Sequence, residues 1–199
     1  MTPNPSLERD LHRHGTWPAR RCGPSSVTRA KRHPGSGPSA QTLGVTAAPR
    51  MQPKIGDVFE IAIDDRYAYA HYSHKHGTYG ALLRVMPSTY AVRPNDFAWI
   101  TATEPQFLCF FPLNAAIKRG LAVRVGGAPL AQAARAFPVF RSSVRSPNGW
   151  GPWWLWDGEK EWLVGALQPG MEQLPIRGVI NDTLLVERIR DGWRAESDA

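Results

Sequence analysis

The sequence predicts an α+β domain dominated by a strongly bent antiparallel sheet or small barrel, with two short helices. Period-two alternation of apolar and polar residues recurs from "GDVFEIAI" to "EWLVG", the spacing of half-buried strands. The segments are short and separated by Gly, Pro, Asp and Ser turns. Helical signals occur in only two places, and neither βαβ alternation nor a fixed-period repeat is present.

The elements follow in order. In "GDVFEIAI", Val58 and Glu60 face one way and Phe59, Ile61 and Ile63 the other. Asp64-Asp65 is a turn. "RYAYAHY" places Tyr67, Tyr69 and His71 on one face and Ala68, Ala70 and Tyr72 on the other. "SHKHGTYG" reads as a loop and "ALLRVM" as a third strand, so the domain opens on a meander. "DFAWITA" and "PQFLCFFPL" read as further strands. "NAAIKRG" is a short helix, with Asn114 at its N-cap, Lys118 and Arg119 at its C-terminal end and Gly120 at the left-handed stop. "LAVRVGG" and "FPVFRSSV" are strands, and "APLAQAARAF", bracketed by Pro129 and Pro138, is ambiguous. "PWWLWDGEKEWLVGAL" is a hairpin about Asp157-Gly158. "NDTLLVERIRDGW" is a helix capped by Asn181 or Asp182, with Leu185 and Ile189 on one face and Gly192 at its end. The total is seven or eight strands.

Charge divides the chain. Of 24 Lys/Arg, eight fall in the first 50 residues, with only two of the 17 acids; residues 51–199 carry a net charge of +1. Residues 1–50 are rich in Pro, Gly, Ser and Arg and have no apolar periodicity. They read as a disordered basic leader, or as an extension upstream of a true start at Met51. Residues 51–199 read as one globular domain. Its near-neutral charge argues against a general nucleic-acid surface, and no apolar run is long enough to span a membrane. Cys22 and Cys109 lie in unlike contexts, so no disulfide is expected, and Cys109, between Leu108 and Phe110, reads as a small buried hydrophobe.

Catalytic and metal signatures are weak. His71, His74 and His76 lie close together, but no familiar zinc spacing accompanies them and Lys75 sits between two of them. Ser142, Ser143 and Ser146 lack a nucleophile elbow. The pairs Asp64/Asp65 and Glu159/Glu161 lie at turns, where solvated acids are ordinary. No cofactor or metal is expected.

Five of the eight tryptophans fall between Gly149 and Gly165. Trp154 and Trp156 share one strand face, and Trp153 shares the other with Leu155. The charges interleaved near the turn (Asp157, Glu159, Lys160, Glu161) sum to −2, which is wrong for stacking on single-stranded nucleic acid. Indoles on both faces point to burial, so Trp153, Trp154, Trp156 and Trp162, with the Asp157-Gly158 turn, are expected to be structural. Interface anchors and a ligand face are the alternative readings of these tryptophans.

Taken in order, "KIGDVFEIAIDDRYAYAHYSHKHGTYGALLRVM", "FFPL", "FPVFR", "WWLWDG" and "LLVERI" resemble the layout of the Immunity protein 26 family of bacterial polymorphic-toxin systems. There a GD-x-F-x-I-P-L strand precedes a G-x-Y-A-Y-G strand. Ala62 stands where the family has proline, and Asp65-Arg66 where it has glycine. The resemblance covers about residues 54–192 and rests on strand and turn residues, so it transfers no site. It implies a non-enzymatic cytoplasmic protein that binds and neutralises a cognate toxin. On that expectation the exposed groups of the first hairpin (Tyr67, Tyr69, His74, Lys75, His76) are candidate partner contacts. The alternatives are a small-barrel nucleic-acid-binding or regulatory module that uses the basic leader, and a Trp-lined small-ligand domain.

Overall fold

The computed structural model of the chain describes residues 52–198. The expected leader and the expected start at Met51 lie outside the described residues. The meander forms as read: β1 (Asp57–Ile63), β2 (Arg66–His76) and β3 (Gly80–Tyr90). After a helical turn, α1 (Ala98–Ala102), strand β4 (Phe107–Phe111) adds beside β3. Helix α2 (Leu113–Lys118) then leads to β5 (Ala122–Gly127), which pairs with β1. The order is β4-β3-β2-β1-β5, antiparallel throughout. Bulges interrupt the β2–β3 ladder at two places and β1–β5 at one, adding local twist. The sheet stays open, with β4 and β5 as its outer strands, so the α+β, strand-dominated class holds and the barrel does not form.

A second sheet, order β10-β9-β6, joins β6 (Phe140–Ser142), β9 (Trp153–Trp156) and β10 (Glu161–Gly165). Between β6 and β9, β7 (Arg145–Ser146) and β8 (Gly149–Trp150) make a small ribbon. The described residues thus hold ten strands. One segment couples the two sheets. Arg141 N–H donates to the Pro175 carbonyl and Arg177 N–H to that of Arg141, and then Ile180 N–H reaches Phe110 on β4. Helix α3 (Asp182–Arg190) follows, capped by Asn181, whose Oδ1 accepts from Leu184 N–H at 2.8 Å.

The first sheet has two differently covered faces. On one, Phe59, Ile61, Ala70, Leu83, Val85 and Phe111 pack against Leu113 and Ala116 of α2 and Leu185 and Ile189 of α3. Cys109 belongs to this core, and burial pushes its thiol up to about 12, as expected of a small hydrophobe. The other face carries two separate apolar clusters. Val58, Tyr69 and Met86 meet Ile100 and Ala128, and Leu82 and Phe110 meet Phe140 and Trp156 of the second sheet.

Three elements differ from expectation, and a fourth resolves an ambiguous one. β2 runs on through His76, where a loop was expected. "DFAWITA" forms α1 instead of a strand, because Asp96 Oδ1 accepts from Ala98 N–H and Thr101 Oγ1 donates back to the Phe97 and Ala98 carbonyls. This makes three α-helices where two were expected. Asn114 does not cap α2. The helix begins after Pro112, whose carbonyl takes the Ala115 and Ala116 N–H groups. "APLAQAARAF" holds only a 3-10 turn, Gln132–Ala134, and otherwise runs as loop.

Candidate functional site

Of the concave features on the described residues, two combine apolar walls with a buried cation or an exposed indole. The first lies between the two apolar clusters on the second face of the large sheet. Arg84 projects there from β3, on the same face as Leu82 and Met86, with His71 of β2 and Leu108 of β4 as its cross-strand neighbours. The cavity beside it, about 260 Å³, is lined by Ser73, His74, Arg84, Glu104 and Leu108 and by the alanine-rich loop after β5. Two histidines tie that loop to β2. His71 Nε2–H donates to the Ala128 carbonyl at 3.0 Å, and His74 Nε2–H to that of Arg135 at 3.0 Å. A carbonyl only accepts, which fixes the proton on Nε2 and leaves Nδ1 a lone pair in each neutral ring.

Arg84 is 6% exposed. Its Nη2 donates to the Thr103 carbonyl at 3.3 Å, and its Nη1 is buried with no partner among the described residues. Among the described residues no carboxylate lies within ion-pair distance of it. Burial lowers the guanidinium below its ordinary value, and Glu104 opposes that from farther off.

The neighbouring imidazole supplies a pH prediction. Burial holds His71 below its ordinary pKa of 6.5, and Arg84 pushes the same way against the Ala128 hydrogen bond. The unfolded chain therefore takes up this proton first as pH falls. Stability is expected to decline from about pH 6.5 down to the depressed value, and to be unaffected by His71 above that window. In His71→Gln, an amide that still donates to Ala128, denaturation midpoints at about pH 7.5 and about pH 5.5 should differ less than in wild type.

The second feature is a cleft of about 310 Å³ on the small sheet, lined by Ser142, Ser143, Val144, Pro152, Trp154, Glu161 and Arg177. Ser142, Trp154 and Leu163 lie in one cross-strand row. Trp154 is 39% exposed, Leu163 54% and Val144 79%. One wall is the Arg177–Glu161 ion pair at 2.6 Å. β10 is the outer strand of this sheet, and Trp162 on it is exposed as well.

Compared with models of known families, with curated proteins and with solved structures, the chain matches none.

The residues singled out in the sequence fall as follows. Tyr67 is half-buried beneath the Arg93 guanidinium at 4.6 Å. Tyr69 is enclosed, with its hydroxyl on Glu60 Oε2 at 3.3 Å, and burial pushes its pKa up to about 12. His74 is half-buried on the cavity wall. His76 packs on Trp156 at 5.0 Å between centroids, donates from Nε2 to the Gly158 carbonyl at 3.3 Å, and accepts from Thr78 and Tyr79 N–H at Nδ1. Of these five, Lys75 alone is exposed. The first hairpin therefore presents little free surface.

Trp153 and Trp156 are buried. Trp154 and Trp162 are exposed instead: the aromatic cluster that covers Trp156 stops short of Trp154, and Trp162 lies on the other face of the outer strand, opposite Leu155. The turn behaves as read, although it spans four residues. Asp157 Oδ1 accepts from Glu159 and Lys160 N–H, and Gly158 has φ +102°. A Cβ at Gly158 would also meet Phe137 at 2.9 Å. Arg84 and Ser73 were missed. The available signal was a lone cation flanked by Leu82 and Met86 on one strand face.

Among the described residues no group of three or more His, Cys, Asp or Glu could hold a metal ion, and no helix is long and apolar enough to cross a membrane.

Proposed function

We propose that this chain is an immunity protein, a non-enzymatic cytoplasmic protein that neutralises a cognate toxin by forming a complex with it through the Trp154 cleft. One observation carries the reading. Trp154 is an exposed indole on a strand whose other three residues, Trp153, Leu155 and Trp156, are buried. Its backbone is thus fixed before any partner arrives, and a preorganised aromatic anchor loses little freedom on binding. The Arg177–Glu161 pair beside it supplies directional groups at the rim of an apolar contact. The resemblance to toxin-immunity proteins supports the same reading, and the near-neutral domain is unsuited to phosphate-driven binding.

Co-expression with the product of the neighbouring gene, taken as the candidate toxin, tests it. Growth under toxin expression should be restored by the wild-type protein. In Trp154→Ala combined with Leu163→Ser, toxin affinity should fall by about thirtyfold or more, with the thermal midpoint little changed. Growth no better with the protein present than without it would overturn the reading. If the cleft instead serves a small ligand, indole emission should respond to that ligand without any toxin present.

A further inference from the structure

We infer that the Arg84 cavity is a binding site for a single carboxylate carried on a short aliphatic body. Arg84 is 6% exposed, yet one arm of its guanidinium has no partner and no carboxylate stands within ion-pair distance among the described residues. A buried cation in that state is costly to the fold, and it lines a cavity of about 260 Å³ large enough for a small molecule.

The surrounding chemistry narrows the ligand. Ala102, Ala131, Ala134, Leu108 and Pro138 give apolar walls, so the body of the ligand is aliphatic. The Arg84 guanidinium on the cavity lining matches one negative charge, and its planar set of N–H donors suits a carboxylate. The other polar atoms add few donors: Ser73 Oγ already donates to the Leu82 carbonyl at 3.2 Å, and His74 spends its Nε2–H on the Arg135 carbonyl, with Nδ1 buried. A phosphate would ask for more donors and more charge than the cavity holds. Glu104 at the cavity lining repels an entering anion and sets how tightly it is held. This site is on the large sheet and stands independently of the Trp154 cleft, so either reading can fail without the other.

The test is a titration of the full chain with butyrate, butyramide, inorganic phosphate and the α-amide of N-acetylglutamate, read by calorimetry and by thermal midpoint. Butyrate should bind saturably and raise the midpoint, with butyramide weaker by about tenfold or more. Stronger binding of the glutamate derivative than of butyrate identifies the carboxylate as one presented by a protein partner, and the reverse order identifies a free acid. Arg84→Met should abolish the butyrate response, and its ligand-free midpoint should equal or exceed wild type, because the unpaired charge is gone. Ala131→Leu, which keeps Arg84 and fills the cavity, should lose butyrate as well, and Glu104→Gln should bind it more tightly. Absence of saturable binding by either carboxylate would sink the inference. So would a response that survives both Arg84→Met and Ala131→Leu, equal binding of acid and amide, or tighter binding of phosphate.

Discussion

Arg141→Met is expected to lower the unfolding free energy by about 3–5 kcal/mol, a large share of the stability of a domain this size. Arg141 is 0% exposed on β6, an outer strand of the small sheet. It donates from Nε to the Leu174 carbonyl at 3.1 Å, from Nη1 to Asp198 at 3.2 Å, and from Nη2 to Glu172 at 3.0 Å and to Ala195. Its guanidinium also stacks 4.5 Å from the Trp153 ring centroid. One side chain therefore satisfies carbonyls from two 3-10 turns, Met171–Gln173 and Ala195–Asp198, and pins both to the sheet. Methionine fills similar volume but leaves those acceptors without a donor, and each buried acceptor so stranded carries a desolvation cost. Lysine should recover only part of the loss, because one ammonium cannot reach a fan of four carbonyls. Urea denaturation measures the difference. A loss under about 1 kcal/mol would show that solvent replaces the guanidinium at those carbonyls.

The two buried arginines show what a sequence can and cannot display. Arg84 and Arg141 each interrupt an apolar strand, and both stand out as cations in a period-two pattern. Their difference is not local. The partners of Arg141 lie 31 to 57 residues away in turns with no signature of their own. The incomplete pairing of Arg84 depends on how the loop after β5 and the end of α1 close over it. The same holds for the histidines. The alternation in "RYAYAHY" was legible, and the two faces of β1 and β2 formed as read. The continuation of β2 through "SHKH" was not, because His74 and His76 are held by carbonyls 61 and 82 residues away. α1 was misread for a complementary reason. A short apolar run suits strand or helix equally, and the outcome turned on hydrogen bonds from Asp96 and Thr101. Local chemistry sufficed where it decided the conformation, as in the Asp157-Gly158 turn and the Asn181 cap.

Trp156→Ala is expected to destabilise the fold by about 3–5 kcal/mol, and Trp154→Ala, two residues away on the same strand face, by under about 1 kcal/mol. The Trp156 ring lies within 5.0 to 6.1 Å of the rings of His76, Tyr79, Phe137, Phe140 and Phe110, and the Arg177 guanidinium sits 5.5 Å over it. With Phe140, which stacks on Phe110 at 5.0 Å, it forms the aromatic contact by which the small sheet packs on β3 and β4. Truncating it opens a cavity that aromatic neighbours on three strands and two loops cannot jointly collapse into. Trp154 continues the same face, but no cluster reaches it, and its indole opens into the cleft. Two tryptophans on the same strand face thus separate folding from binding. If the cleft is the toxin-binding surface, Trp154→Ala should yield a folded protein that protects poorly. Trp156→Ala should protect in proportion to the fraction still folded, so that lowering the temperature restores it. Denaturant midpoints and growth protection measured on both variants at two temperatures make the comparison. Equal destabilisation by the two substitutions would show that the small sheet is held by its own hairpin and not by the aromatic contact with the large one.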